Sequence, residues 1–315
     1  MGKLLKLLLL ALVIVIGLLA WSHAPVKLEV TTTRDIPAQL PPAQAPAGMT
    51  LSVIATGQMQ AGQAFAYRGG SFLQESESAM DAALIHHPKG DLLIDTGFGR
   101  DVDSHVTTTP WLMRTLAKYQ LTAAVADQLK AADYRSAQLK GIILTHAHWD
   151  HVSGLPDLDG TPVLINAAER KFIDQGSEHT ALARSFSDTV NYQLYDFSDG
   201  AYMGYAKSLD VYKDGSIVLV PMSGHTPGST GIFVTLPSGK RFFFIGDLVW
   251  LKEGYERPAE RPFLSRDLVG EDGAAVRKEI VHVHRLHNKF PELTIVPAHD
   301  RRQFAGIAGF PEATP

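Results

Sequence analysis

The chain contains no cysteine. That absence removes a disulfide framework, a thiolate nucleophile, thiolate-ligated metal and a lipid-modified N-terminal Cys. Any metal must therefore be held by imidazole and carboxylate. Charge of one sign is also lacking: 29 Lys and Arg against 33 Asp and Glu leave a formal net charge of −4 over 315 residues. Without a basic field to hold phosphate backbones, nucleic acid is not an expected partner. No short-period repeat is visible, and nothing in the sequence fixes the oligomeric state. What remains is 45% hydrophobic, the composition of an ordinary globular protein.

The N-terminal end differs from everything after it. Lys3 and Lys6 precede an almost unbroken apolar run from Leu7 to Ala20, closed by Trp21. This is the pattern of an export signal, and the leading positive charges place the bulk of the chain outside the cytoplasm, in the periplasm of a bacterium. The run is short for a full span, and no Ala-x-Ala cleavage site follows cleanly, since Ser22-His23-Ala24 runs into Pro25. Residues 1–25 are thus a signal peptide or an uncleaved inner-membrane anchor, and the sequence leans to the anchor. Residues 26–48, with Pro37, Pro41, Pro42 and Pro46, form a Pro/Ala-rich stretch expected to act as a semi-rigid tether. The globular domain is expected over residues 49–315.

Within that domain, strand-like segments open at Leu51–Ala55, Ala82–His86 and Asp91–Asp95. Apolar periodicity predicts helices near 111–119, 123–132 and 167–175, and buried strands at 141–145 and 162–166. The second half repeats the pattern, with strands at 217–220, 231–236, 241–245 and 293–296 and a last helix at 274–289. Two similar halves of mixed strands and helices predict an α/β fold of two packed sheets with helices outside.

The chemistry is concentrated in Thr145-His146-Ala147-His148-Trp149-Asp150-His151, directly after the apolar run Gly-Ile-Ile-Leu. By composition, His-x-His-x-Asp-His arises in roughly one chain in a thousand of this length. Without a metal, such a cluster would bury several unsatisfied or mutually repelling groups. In an extended start, His146 and His148 point the same way and can grip one cation, while Asp150 and His151, as the chain turns, can face a second. Three more ligand types recur just past apolar strands: His225, Asp247 and His299. All four groups lie in loops at strand ends, where a rigid scaffold brings ligands to one rim.

At these residues the sequence resembles the metallo-β-lactamase superfamily of hydrolases over nearly all of residues 49–315. The resemblance rests on Leu-Leu-Ile-Asp-Thr-Gly at 92–97, the motif at 145–151, Gly-His-Thr-Pro-Gly-Ser at 224–229, Gly-Asp at 246–247 and Ala-His-Asp at 298–300. It implies a four-layer αβ/βα sandwich with a dinuclear metal site at its edge. Carried over by position, His146, His148 and His225 would bind one metal, Asp150, His151 and His299 the other, and Asp247 would bridge both. Asp95 would be a structural hydrogen-bonding residue. A bridging Asp and the close Val-Pro-Ala-His-Asp are similar to the acyl-homoserine lactonase-like branch rather than to the true zinc β-lactamases. One departure is the Tyr that those lactonases carry three residues after the bridging Asp: here it is Trp250, with Tyr255 as a nearby substitute.

The resemblance implies two divalent ions, Zn²⁺ first with Fe, Mn or Co as alternatives, and hydrolysis of a lactone or related carboxylic ester. The ion pair would activate a bridging water, with Asp150 as the catalytic proton acceptor. Thioester or β-lactam hydrolysis, and metal binding without catalysis, are the alternatives. Phosphodiesters are disfavoured by the lack of an Arg or Lys cluster near the motifs. Other conspicuous residues have plainer expectations. His282, His284 and His287 are expected on the surface or in the groove, and His86 and His87 in packing and loop roles. Trp149 and Trp250 are expected at the substrate or in the core. Phe65 and Tyr67 lie in a loop, 57–70, that either lines the groove or is mobile surface.

Overall fold

The computed structural model describes residues 2–29, 34–116 and 118–315. Residue 1 of the N-terminal segment, residues 30–33 of the Pro/Ala-rich stretch and residue 117 of the expected helix 111–119 lie outside the described residues.

Strand β1 (Thr50–Gly62) pairs antiparallel with β2 (Glu75–His86), β2 pairs with β3 (Asp91–Ile94), and β4 (Lys118–Leu121) caps β1 on its other side. From β3 the sheet continues in parallel through β5 (Leu139–Ile143), β6 (Val163–Asn166) and β7 (Tyr192–Tyr195). A second sheet runs in the order β12 (Leu293–Val296), β11 (Arg241–Phe244), β10 (Thr230–Thr235), β9 (Ile217–Pro221) and β8 (Leu209–Asp210). The chain returns to the first sheet with β13 (Ala308–Gly309), parallel to β1.

The unalternated runs Leu-Leu-Ile of β3 and Ile-Val-Leu-Val of β9 are those of strands covered on both faces. The structure covers them so. One core cluster lies between the sheets and joins Leu51, Ile85 and Leu92 to Leu219, Ile232 and Val296. A second lies under the helices of the first sheet, and a third packs the helix Gly273–Lys289 onto the second. The four-layer αβ/βα sandwich is thus the observed fold.

Two local expectations differ from the structure. The expected helix 111–119 stops at Leu116, and residues 118–121 are strand β4. The loop expected from Gly57 is the second half of β1, followed by a short helix, Gln63–Ala66. Gly, Gln and Met have weak strand preference, but here β2 and β4 supply ladder partners on both sides, and pairing overrides propensity.

The described residues of the Pro/Ala-rich stretch have no regular structure, yet they lie against the domain. Leu28, Ile36 and Leu40 pack onto the third core cluster, Leu28 N–H donates to Pro258 O (2.8 Å), and Gln44 N–H donates to Asp214 O (2.7 Å). The segment expected as signal or anchor is a helix, Lys3–His23.

His282 corrects another expectation. It is not on the surface: it is 0% exposed, stacked edge-on to Tyr205, with Nε2 2.9 Å from Met203 O. The reason is the amphipathic phase of its helix, which buries Ile280, Val283 and Leu286 alongside it. Burial, with Arg34 adding repulsion, lowers its pKa to about 4. The unfolded ring takes its proton near pH 6.5 and the folded ring does not. Stability is therefore full above pH 6.5 and drains away as pH falls toward 4. Between pH 7.5 and 4.5 the wild type should lose about 2.5 kcal/mol more than His282→Gln, at about 1.4 kcal/mol per pH unit. Urea midpoints at the two pH values measure this, and equal losses would show that another group carries the acid sensitivity.

Candidate metal centre

Strand geometry brings the ligand loops together. β3 and β5 are parallel neighbours, so the turns that follow them touch: Asp95 N–H donates to Ile143 O (3.0 Å), and Asp95 in return accepts from Thr145 N–H and Thr145 Oγ1, both at 2.7 Å. Asp95 holds a left-handed backbone (φ 52°) to do so, strain of the kind stored at functional sites. β11 and β12 are likewise parallel, and the loop after β12 hydrogen-bonds the loop after β11 through Ala298 N–H to Gly246 O (3.0 Å). The two sheets thus present their ligand loops to one edge.

All seven expected ligands meet there. His146, His148 and His225 form one group of donor atoms and Asp150, His151 and His299 another. His225 Nε2 faces His148 Nδ1 at 2.9 Å, and His299 Nε2 lies 3.4 Å from Asp150 Oδ2. Asp247 stands between the groups, with its carboxylate 3.2 Å from His151 Nε2, 3.0 Å from His299 Nε2 and 3.5 Å from His225 Nε2. That is where a carboxylate shared by two ions would stand.

The residues fit a pair of divalent cations. His151 Nδ1–H donates to Asp95 Oδ2 (2.8 Å) and His299 Nδ1–H to Ala79 O (2.8 Å), which orients both rings and aims each Nε2 at the centre. The buried Nε2 atoms of His146 and His151 have no hydrogen-bond partner among the described residues. Burial and then neighbouring imidazoles hold His146 well below the usual histidine range. His148 is likewise low, through burial and the His225 beside it, and burial, with Arg261 adding repulsion, lowers His225 against the pull of Glu271 and Asp247. The neutral ring is the ligating form. At the other group burial opposes the charge but is outweighed: Asp95, Asp150 and Asp247 raise His151, and Asp247 raises His299. Divalent ions would take the place of those protons. Five imidazoles and two carboxylates suit Zn, Fe, Mn or Co.

Sequence reasoning missed the residues behind the ligands. Glu169 is buried and accepts from Ala147 N–H (2.7 Å), Thr226 Oγ1 (2.7 Å) and Gly228 N–H (2.9 Å), so one carboxylate ties the loop 145–151 to the loop 224–229. Burial pushes it up to about 7 against the pull of these donors. Its signal was present: Glu169 and Ile173 share the buried face of the helix Ala167–Asp174 at i and i+4. Arg261 and Glu271 form a buried ion pair beside His225, and Arg261 also donates to Asp247 O (2.7 Å).

A cavity of about 130 Å³ opens on the centre. His148, Asp150, Asp247 and His299 face it at one end, and Met80, Met113 and Leu268 are among its apolar walls. Trp149 lines it while stacking on Phe98, so it serves both cavity and core. Trp250 lines it too, with Nε1–H donating to Asp247 Oδ2 (2.8 Å). Where the lactonase-like branch has Tyr, this indole therefore steadies the bridging carboxylate. Tyr255 does not substitute: it is buried against His287, its hydroxyl directed to Gln303 (3.5 Å). Phe65 lines the cavity and Tyr67 packs with Leu251 and Ala259. His284 Nδ1–H donates to Tyr255 O, His87 stacks on Tyr212, and His86 pairs with Asp91, so none of them reaches the centre.

The profile of the metallo-β-lactamase superfamily matches residues 80–263. The chain belongs to this superfamily. It is 30% identical over 241 residues to a "probable metallo-hydrolase" of Mycobacterium tuberculosis, covering 69% of this chain and 73% of that one. It is 25% identical over 238 residues to an N-acyl homoserine lactonase of Agrobacterium fabrum, covering 73% and 84%. Among solved structures, an N-acyl homoserine lactone hydrolase with N-hexanoyl-L-homoserine bound at its metal centre superposes with a TM-score of 0.67 at 19% identity, over 84% of this chain and 98% of that one. The superfamily, the fold and the ligand set together make this protein a metallo-hydrolase.

Proposed function

We propose that this metallo-hydrolase opens the ring of an N-acyl homoserine lactone or a closely related lactone, using two zinc ions, and that it works in the periplasm, tethered to the inner membrane by its N-terminal helix. The observation that carries the reading is the apolar cavity ending on the seven-ligand centre: a hydrocarbon tail fits the methionine- and leucine-lined walls while a carbonyl reaches the metals. The similarity to named lactonases supports the same substrate class.

The bound ions would supply Lewis acidity and a water acidic enough to react near neutral pH. The chain's own residues do the rest. Asp247 and the five histidines would hold the ions, and Asp95 and Glu169 fix the ligand loops behind them. Asp150, partly open to the cavity, takes the proton from the attacking water and returns it to the leaving alkoxide. Ser265 lines the cavity, and its buried hydroxyl has no hydrogen-bond partner among the described residues, which makes it a candidate partner for the substrate's amide. Ser265→Ala is expected to raise KM for an acylated homoserine lactone by about 5–10-fold, the worth of one net hydrogen bond, and to leave an unacylated lactone unaffected. Parallel kinetics on the two substrates decide it.

The test of function is chelation of the full-length protein followed by stepwise zinc addition, with proton release from N-hexanoyl-homoserine lactone as the readout. Turnover that returns as two metals bind per chain is the expected result. Two metals bound with no lactone opened would sink the substrate assignment and turn the search to thioesters and β-lactams.

A further inference from the structure

The N-terminal helix does not merely precede the domain; it is docked onto the rim of the cavity. Ser22 is its one buried residue, and Phe263 N–H donates to Ser22 Oγ (2.8 Å). Gly69 N–H donates to His23 O (2.9 Å), and Arg68 donates to Trp21 O (2.8 Å) and Ala24 O (3.2 Å). The His23 ring sits 5.0 Å from Phe72 and 6.1 Å from Phe65. These partners belong to the elements that wall the cavity: Phe65 lines it, and so do Ser265, Leu268 and Val269 of the helix Phe263–Val269.

Beside polar lining residues such as Thr108 and Glu178, that side of the domain carries exposed apolar side chains. Outside the N-terminal helix, the described large hydrophobic residues that are exposed are Phe72, Leu73, Trp111, Leu194 and Phe263. Four of these five lie in, or a few residues from, segments that line the cavity. Phe72 and Leu73 follow the Phe65 segment, Phe263 begins the wall helix, and Trp111 begins the helix whose Met113 lines the cavity. Leu73 is 97% exposed, a loop-tip leucine in water for which the domain offers no cover. The helix that anchors this rim spans 21 residues, with Lys3 and Lys6 its only Lys, Arg, Asp or Glu, and its apolar window is wholly unburied. At 1.5 Å per residue it is roughly 30 Å long, the thickness of a bilayer's hydrocarbon core.

We propose that the domain rests with its cavity mouth on the lipid surface, Phe72, Leu73, Trp111 and Phe263 lying in the bilayer interface, and draws the acyl tail of its substrate from the membrane. The occupant of the apolar rim is lipid. The substrates favoured are lactones whose tails are long enough to partition into it. This rests on the anchored lactonase proposed above.

The absence of native cysteine makes the test clean. Full-length Leu73→Cys is labelled with an environment-sensitive fluorophore and reconstituted in phosphatidylcholine nanodiscs carrying a spin-labelled quencher lipid. Lys240→Cys serves as control, since it lies in the β10–β11 turn at the opposite end of those strands from Asp247. Strong quenching at 73 and none at 240 is expected; equal, weak quenching at both overturns the proposal. The readout needs no turnover, so it stands even if no lactone is cleaved and the substrate assignment falls. In vesicles, Phe72→Ser/Leu73→Ser/Phe263→Ser is expected to cut the rate on an N-dodecanoyl lactone at least 5-fold and to leave a soluble N-butanoyl lactone unchanged. An unchanged long-chain rate overturns delivery from the membrane. A chain that fails to float with vesicles overturns the anchor as well.

Discussion

Asp247→Ala is expected to leave at most one tightly held metal per chain and to lower kcat/KM by more than about 10³-fold, well beyond the roughly 10–100-fold that loss of an outer-shell partner costs. The carboxylate is buried, and among the described carboxylates it alone stands within 3.5 Å of ring nitrogens from both ligand groups: His225 on one side, His151 and His299 on the other. Burial alone would raise its pKa, but His299 and His151 outweigh burial and hold it well below the usual carboxylate range. It is thus a permanent anion at the point where two cations would be closest together, and alanine removes both the shared ligand and the charge that offsets their repulsion. Metal content by elemental analysis and proton release by pH-stat measure the two effects separately. Retention of both metals at wild-type affinity would show that Asp247 is not the bridge. Asp247→Asn keeps the volume and one oxygen, so a variant that folds but loses the second metal would assign the effect to charge.

Glu169→Ala should be the most damaging substitution away from the ligands. It strips the acceptor from Ala147 N–H and Gly228 N–H, both buried, and from Thr226 Oγ1. The threonine hydroxyl can turn to Ser229 Oγ, 2.8 Å away, but among the described residues Glu169 is the hydrogen-bond partner of both amides. At roughly 1–3 kcal/mol for each orphaned donor, the loss is about 2–6 kcal/mol of stability. Because the carboxylate joins the loop bearing His146 and His148 to the loop bearing His225, metal affinity should fall by about 10–100-fold as well. Chemical denaturation with and without saturating zinc measures both. A stability loss that zinc does not alter, with metal affinity unchanged, would show that the clamp supports the core and not the centre. Glu169→Gln retains the shape with a single acceptor oxygen, and an intermediate loss is expected.

The candidate ligands were legible because metal chemistry is written in residue type and spacing. Imidazoles at 146, 148 and 151 with a carboxylate at 150 have few other uses in a buried loop. His225, Asp247 and His299 could be added because each follows an apolar strand, and strand ends are where a sandwich gathers its loops. The bonds that make those ligands competent were not legible in the same way. Asp95 reaches Thr145 and His151 only because β3 and β5 are parallel neighbours, and Glu169 reaches two loops from different sheets. His282 was misplaced for a related reason: three histidines in one helix look alike until the helix phase is set by what packs beneath it. The second half of β1 was read as a loop because it lies between glycines and its residues have weak strand preference, and its strand exists through two partners distant in sequence.

By itself, then, the sequence determined the two-sheet α/β class, the seven candidate ligands that the fold brings to one edge, the exclusion of thiolate chemistry and the apolar N-terminal segment, all of which depend on local pattern and composition. Only the tertiary structure decided that Asp247 stands between the two groups, that Trp250 steadies it while Tyr255 lies in the core, and that the N-terminal helix docks on the cavity rim. Those are relations between residues tens or hundreds of positions apart. Their free energies are set by burial and by the partners that folding supplies, which no single stretch of chain contains.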